Sequence, residues 1–311
     1  MIKKLIIFSI LVIACADLSA WHARGHMLVA AIAWDHLDEA SRKNVVEILQ
    51  SHPEFARNWQ EQYADHEDDV TLGKFLMMQA SVWPDQIKRR NHPDFRYNRA
   101  SWHYITYEMR KAAGDSGTIS TNTNLEVNKK GDVLTAIERA RWMMARPSTS
   151  KEEKAVYLCW LIHLIGDIHQ PLHCASLFND TDLQKGDKGG NMIYIKPNSV
   201  GIKLHTFWDG LPGSSKNIRT TANTAKVLSR KNPKSGFGLL VVNDSRKWSY
   251  ESLNLAAKIV HLDGQLIVTT DKECAVKPPE SYSKNSKRIA LRLVVLAGYR
   301  LALDVDNLVN L

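Results

Sequence analysis

The stretch SKEEKAVYLCWLIHLIGDIHQPLH, Ser150 to His173, decides how this chain folds and where its chemistry sits. Ser150 with Glu153 three residues on is a capping-box signature, and Pro171 cannot continue a helix. Between them runs an apolar stretch interrupted by His163 and Asp167. These signs predict a helix from about Lys151 to His169. His163 and Asp167 lie four residues apart, so one face of the helix carries both side chains, a turn apart. His173 follows six residues later, and His205 and Asp209 repeat the four-residue spacing. Imidazole and carboxylate are the usual zinc ligands where a site keeps open positions for water and substrate. One His-x-x-x-Asp pair says little, because surface and core residues often fall at that spacing. Two pairs plus His173 in one short segment point to a metal site.

Working outward, apolar residues recur at helical spacing. Leu28, Val29, Ile32, Ala33 and Leu37 form a stripe starting near His26. Glu39 to Gln50 predicts a second helix with Val45, Val46 and Leu49 inward, and Leu72 to Ala80 a third, ending before Trp83-Pro84-Asp85. Val133 to Ala145 predicts another, stopped by Pro147. Two more are expected near Arg246 to His261 and Asn285 to Asn310. Gly189-Gly190-Asn191 precedes a short strand candidate, Met192 to Ile195, with a partner around Val200 to Leu204. No internal repeat or Pro/Gly/Ser-rich linker breaks the chain. The expected fold is all-α: a single mainly helical domain, residues 21–311, with a small β-hairpin.

Composition agrees. Of 311 residues, 44% are apolar and 24% charged, which is ordinary globular usage. Past the N-terminus no apolar run reaches the roughly 20 residues that span a bilayer, so a multi-span membrane protein is excluded and no stable membrane insertion is expected. The net charge of +8 comes from scattered lysines and arginines and favours polyanionic partners only weakly. Residues 1–20 read differently. Lys3 and Lys4, the apolar run Leu5 to Ala14 and the small-residue site Leu18-Ser19-Ala20 make a secretory signal. The expected location is secreted or periplasmic, with the mature chain starting at Trp21. Val12-Ile13-Ala14-Cys15 loosely resembles a lipoprotein processing site, the lesser alternative, which would put Cys15 at the mature terminus. Cys159, Cys174 and Cys274 allow at most one bridge within the chain, and the sequence does not choose the pair.

Further candidates stand upstream: Asp85 after Trp83-Pro84, and His103 in Trp102-His103-Tyr104-Ile105. Trp21 and His26 come directly after the predicted cleavage point. A free α-amino group titrates at about 7.7–8.0, low enough for zinc to displace its proton, so the Trp21 amine is a candidate ligand. In chain order stand Trp21…Gly25-His26, Trp83-Pro84-Asp85, Trp102-His103, His163-Leu164-Ile165-Gly166-Asp167…Gln170-Pro171-Leu172-His173, Gly189-Gly190-Asn191 and His205…Trp208-Asp209. That order and spacing resemble the zinc-dependent single-strand nucleases of fungi, plants and bacteria, the S-one/P-one family, in the same superfamily as zinc-dependent phospholipase C. Ala297-Gly298-Tyr299-Arg300-Leu301-Ala302 is similar to the family's last helix.

The resemblance implies a phospholipase C/nuclease-like fold holding three zinc ions in a cleft. By position, Asp85, His103, His163 and Asp167 would hold one ion. Trp21, through its amine and carbonyl oxygen, would hold a second with His26 and Asp167, which bridges the pair. His173, His205 and Asp209 would hold the third. All nine positions carry the expected residue type. Two zinc ions roughly 3.5–4 Å apart can share a hydroxide that is nucleophilic near neutral pH. Lys88 matches a position where similar nucleases carry arginine or lysine to contact phosphate, Tyr104 an aromatic of the base pocket, and Asn191 a pocket asparagine. Thr106 stands where fungal members have aspartate, which leaves base preference open. His22 replaces a glycine common after the first tryptophan, and His169 is not a family ligand, so it belongs behind the site or on the surface. The implied activity is hydrolysis of single-stranded DNA and RNA to 5′-mononucleotides, with 3′-nucleotidase activity on nucleotides. Zinc-dependent phospholipase C is the alternative. Against it, its first tryptophan and histidine are farther apart than Trp21 and His26, and glutamate stands where this chain has Asp209. A non-catalytic zinc-binding protein is the third reading.

Overall fold

A computed structural model of the chain describes residues 21–111, 118–124, 129–238 and 243–310. The signal reading of residues 1–20 and Cys15 lie outside the described residues. The chain opens with α1 (Ala23–His36) and α2 (Glu39–Gln50), the latter capped by the Asp38 carboxylate on the Ser41 N–H at 2.6 Å. A short α3 (Gln60–Ala64) leads to α4 (Leu72–Gln86). Next comes β1 (Tyr107–Lys111), then β2 (Ile119–Asn122), α5 (Val133–Ala145) and α6 (Lys151–Asp167). The second half holds β3 (Ala175–Phe178), β4 (Tyr194–Ile195), β5 (Ile202–Lys203) and α7 (Leu204–Gly210). It closes with α8 (Ile218–Lys231), α9 (Ser245–Leu255) and the long α10 (Tyr282–Val309). The fold is mainly helical, and among the described residues no helix is long and apolar enough to cross a membrane.

Helix α6 is the axis. Ser150 and Glu153 form the reciprocal capping box, and every residue from Leu158 to Asp167 is buried. A helix apolar all round must lie inside other helices; α1, α2, α4, α5 and α10 pack around it. Close approach is paid for in glycine: a Cβ on Gly166 would sit 2.8 Å from His26 Nδ1.

Three expectations need correction. Helix α4 does not end at Ala80 but runs through Pro84 to Gln86. In a last turn a proline forfeits only one intrahelical bond, and the nearby Ser81 carbonyl accepts the His163 Nδ1–H at 2.8 Å. Asp85 therefore rides the final turn of α4. The hairpin forms as antiparallel β4 and β5, but each strand is only two residues long, and Leu204 already opens α7. A second sheet, ordered β2-β1-β3, joins it, with β1 antiparallel to β2 and parallel to β3. Its register starts where the Ile105 N–H donates to the His173 carbonyl at 2.9 Å. That bond ties the segment after His103 to the segment after His173. Cys159 and Cys174 are buried and Cys274 exposed, all three as free thiols.

Candidate metal centre

The site gathers at the C-terminal end of α6, where carbonyl groups left without intrahelical partners favour a cation. Asp167, in the last turn, is fully buried. One of its oxygens, Oδ1, lies 3.3 Å from His26 Nε2 on α1. The other, Oδ2, lies 3.0 Å from His103 Nδ1 and 3.1 Å from His163 Nε2. Asp85 Oδ1 approaches the same nitrogens, at 3.7 Å from His163 Nε2 and 4.0 Å from His103 Nδ1. The His26 ring stacks on His163 with centroids 4.0 Å apart. The five side chains thus make one continuous cluster with Asp167 between its two sides.

A second cluster adjoins it. His173 comes from the 3-10 turn after Pro171, and His205 and Asp209 from α7, whose i, i+4 spacing sets His205 Nε2 3.3 Å from Asp209 Oδ2. The His173 and His205 rings lie 5.0 Å apart, and the ligating atoms of the three residues fall within 4.8 Å of one another.

The hydrogen bonds decide whether these residues fit a metal ion. His163 Nδ1 donates to the Ser81 carbonyl, His173 Nδ1 to the His103 carbonyl at 2.6 Å and His205 Nδ1 to the Gly189 carbonyl at 2.6 Å. A neutral imidazole with its proton on Nδ1 presents a lone pair at Nε2. The Nε2 atoms of His163 and His205 then lie 3.1 and 3.3 Å from carboxylate oxygens of Asp167 and Asp209, so lone pairs converge where a cation would be held. His103 Nε2 and His173 Nε2 are buried with no hydrogen-bond partner. Backbone carbonyls fixing the far nitrogen are the usual support behind metal-binding histidines.

Charge states point the same way. Burial lowers the pKa of His26, His173 and His205 and takes His103 down to about 3. Burial also opposes a charge on His163, but the Asp167 and Asp85 carboxylates outweigh it and raise its pKa. Burial works against the Asp167 carboxylate too, yet His163, His103 and His26 hold it well below the usual range. Asp85 is lowered against burial mainly by the Lys88 ammonium. Asp209 is the exception: burial pushes it up to about 8, only partly offset by His173 and Gln170. His26, His103, His173 and His205 as neutral imidazoles, and Asp167 and Asp85 as carboxylates, offer ligand atoms with no proton to displace, whereas an ion must displace one at His163 and at Asp209.

The remaining candidates take places around this core. Trp21 is buried, its indole N–H donating to the Gly166 carbonyl at 3.0 Å beside Asp167. Lys88 Nζ lies 2.7 Å from Asp85 Oδ1, at the partly exposed edge. Burial alternates along the extended segment after His103, so Tyr104, 45% exposed, and Thr106 point outward together. Asn191 turns its amide N–H back onto the Lys188 carbonyl at 3.0 Å, so it closes its own turn. His169 is buried rather than on the surface: Nδ1 donates to the Ile165 carbonyl and Nε2 accepts from Arg300 at 2.9 Å. Sequence reasoning missed Gln170, which bonds Asp209. It also missed a third acidic and histidine group, Glu54, His92 and Asp94. The Arg57 guanidinium pairs with both Glu54 and Asp94, and His92 Nδ1 accepts the Asp94 N–H, so a cation already fills that group.

The family model described as S1/P1 Nuclease matches residues 21–310. Over 212 residues the chain is 28% identical to Endonuclease 2 of Arabidopsis thaliana, covering 64% of this chain and 58% of that protein. Over 203 residues it is 27% identical to Endonuclease 4 of the same plant, covering 61% and 54%. The chain thus spans somewhat more than half the length of these curated relatives.

Proposed function

The chain belongs to the S1/P1 nuclease family, and from that premise we propose that it is a secreted or periplasmic zinc phosphodiesterase. It hydrolyses single-stranded DNA and RNA to 5′-mononucleotides and removes 3′-phosphates from nucleotides. The observation that carries the reading is Asp167, which shares its two oxygens between His26 on one side and His103 with His163 on the other, next to the His173, His205 and Asp209 group. In this reading Asp85, His103, His163 and Asp167 hold one zinc, Trp21, His26 and Asp167 a second, and His173, His205 and Asp209 a third. Bound zinc supplies Lewis acidity, which makes water nucleophilic near neutral pH and offsets charge on a phosphate. The protein's own groups do the rest. Tyr104 offers an open face on which an unpaired base stacks, with Thr106 beside it and the Asn191 carbonyl oxygen as an acceptor for a base amino group. Lys88, at the edge, gives phosphate a point charge.

The test is incubation of purified protein starting at Trp21 with single-stranded DNA, RNA and phosphatidylcholine, with and without chelator. Both nucleic acids are expected to be cut to 5′-phosphorylated products, with chelator abolishing the reaction and the lipid untouched. Hydrolysis of phosphatidylcholine in place of nucleic acid overturns the reading in favour of a phospholipase.

A further inference from the structure

Gln170 stands in the chain between Asp167 at the end of α6 and His173, and is fully buried. Its Oε1 accepts the Leu172 N–H at 2.6 Å and so caps the 3-10 turn that presents His173. Because a backbone N–H fixes the oxygen, the amide cannot be flipped, and Nε2 must donate. It donates to Asp209 Oδ1 at 2.7 Å, across 39 residues of chain. That bond sets the rotation of the carboxylate and leaves Oδ2 turned toward His205 Nε2, 3.3 Å away. One side chain therefore holds the turn behind His173 and the orientation of Asp209 at once.

We infer that Gln170 is a positioning residue that preassembles the His173–His205–Asp209 cluster as a cation site, joining α7 to the turn after α6. The inference rests on the metal reading proposed above. Without the amide, the Asp209 carboxylate is free to rotate and the His173 turn loses its cap, so the two ligands must be ordered when the ion binds. Removing such a support behind a ligand costs roughly 10- to 100-fold in metal affinity. The cluster around Asp167 has other supports, the Ser81 carbonyl behind His163 among them, and its bond to Gln170, from the Gln170 backbone N–H to the Asp167 carbonyl at 2.9 Å, survives a change of side chain.

The experiment is zinc counting per chain in Gln170→Met and wild-type protein after dialysis against a graded series of chelator concentrations. Wild type is expected to carry three ions, and the variant to lose one of them at 10- to 100-fold lower chelator while keeping the other two. The same chelator series for all three ions in both proteins overturns the inference, as does loss of all three together on unfolding, which makes Gln170 a structural residue only. A wild type that binds no zinc overturns the metal reading itself, and the inference with it. A second measurement needs no variant: in nitrogen-15-labelled wild type, the Gln170 side-chain amide signal should move as the third ion is titrated in. An unmoved signal overturns the inference.

Discussion

Asp167 is the residue on which the proposed chemistry turns, because two of its neighbours face one oxygen and a third faces the other. Asp167→Asn keeps the shape but removes the negative charge, and a neutral amide turns an N–H toward one set of imidazoles. The variant is expected to lose more than about 100-fold in nuclease rate together with zinc, measured by nuclease assay and zinc counting on matched preparations. Near-normal turnover with three ions per chain would sink the assignment. Tyr104 makes a contrasting case, since it stands 45% exposed beside His103 and bonds the scaffold through its backbone carbonyl, which accepts the Val133 N–H at 3.1 Å. Tyr104→Ala should weaken single-strand binding by about 1–3 kcal/mol, the range for a lost base–aromatic stack, with zinc content unchanged. Because only an unstacked base reaches such a ring, single strands should be cut faster than closed duplex. Equal rates on the two substrates would contradict the stacking role.

At the scale of elements, α1 and α10 cross in close contact at Gly298. A Cβ on Gly298 would stand 2.6 Å from Ile32 Cγ2 and 3.1 Å from the Val29 carbonyl oxygen, and that backbone cannot yield. Gly298→Ala gains up to about 1 kcal/mol of helix propensity but forces the helices apart at a cost of about 1–3 kcal/mol, so the clash wins. A lower urea midpoint for the variant is expected; an unchanged or higher one would show that the helices part freely. The elements legible in the sequence were those with strong local signals. Helices α2 and α5 came out at their full extent from apolar stripes and breakers, and α6 from its capping box. Helix α8 hid because its buried stripe is mostly small, Thr221, Ala222 and Ala225 between Ile218 and Leu228. The second sheet hid because β1 alternates buried Tyr107 and Met109 with charged residues over only five positions. Likewise spacing marked His163, Asp167, His173, His205 and Asp209 as candidates, while their grouping with Trp21, His26, Asp85 and His103 came from the family resemblance. Gln170 on Asp209 and Arg300 on His169 are contacts between residues 39 and 131 apart, which no local pattern reports.

Over the whole molecule, folding buries histidines that lie outside the candidate metal centre. His52 stacks on Trp59 with its Nδ1 accepting the Glu54 N–H, and burial lowers its pKa to about 3. His261 is buried with Nε2 unpartnered, and burial alone lowers it to about 4. Both are neutral in the folded protein while the unfolded chain takes up protons below about 6.5. For a pKa depressed by folding, the stability is fully present above the unfolded value and is lost as pH falls toward the folded one. Between pH 6.5 and about 4, each such histidine therefore removes about 1.4 kcal/mol of stability per pH unit. His261→Leu takes one of these groups away and fills the same interior with carbon, so its unfolding free energy should fall less steeply across that window. Urea unfolding from pH 7 to pH 4, with chelator present throughout so that metal release adds nothing, measures both slopes. If wild type and His261→Leu lose stability at the same rate, His261 is not a proton-linked group, and acid sensitivity must be sought in His52 and its neighbours.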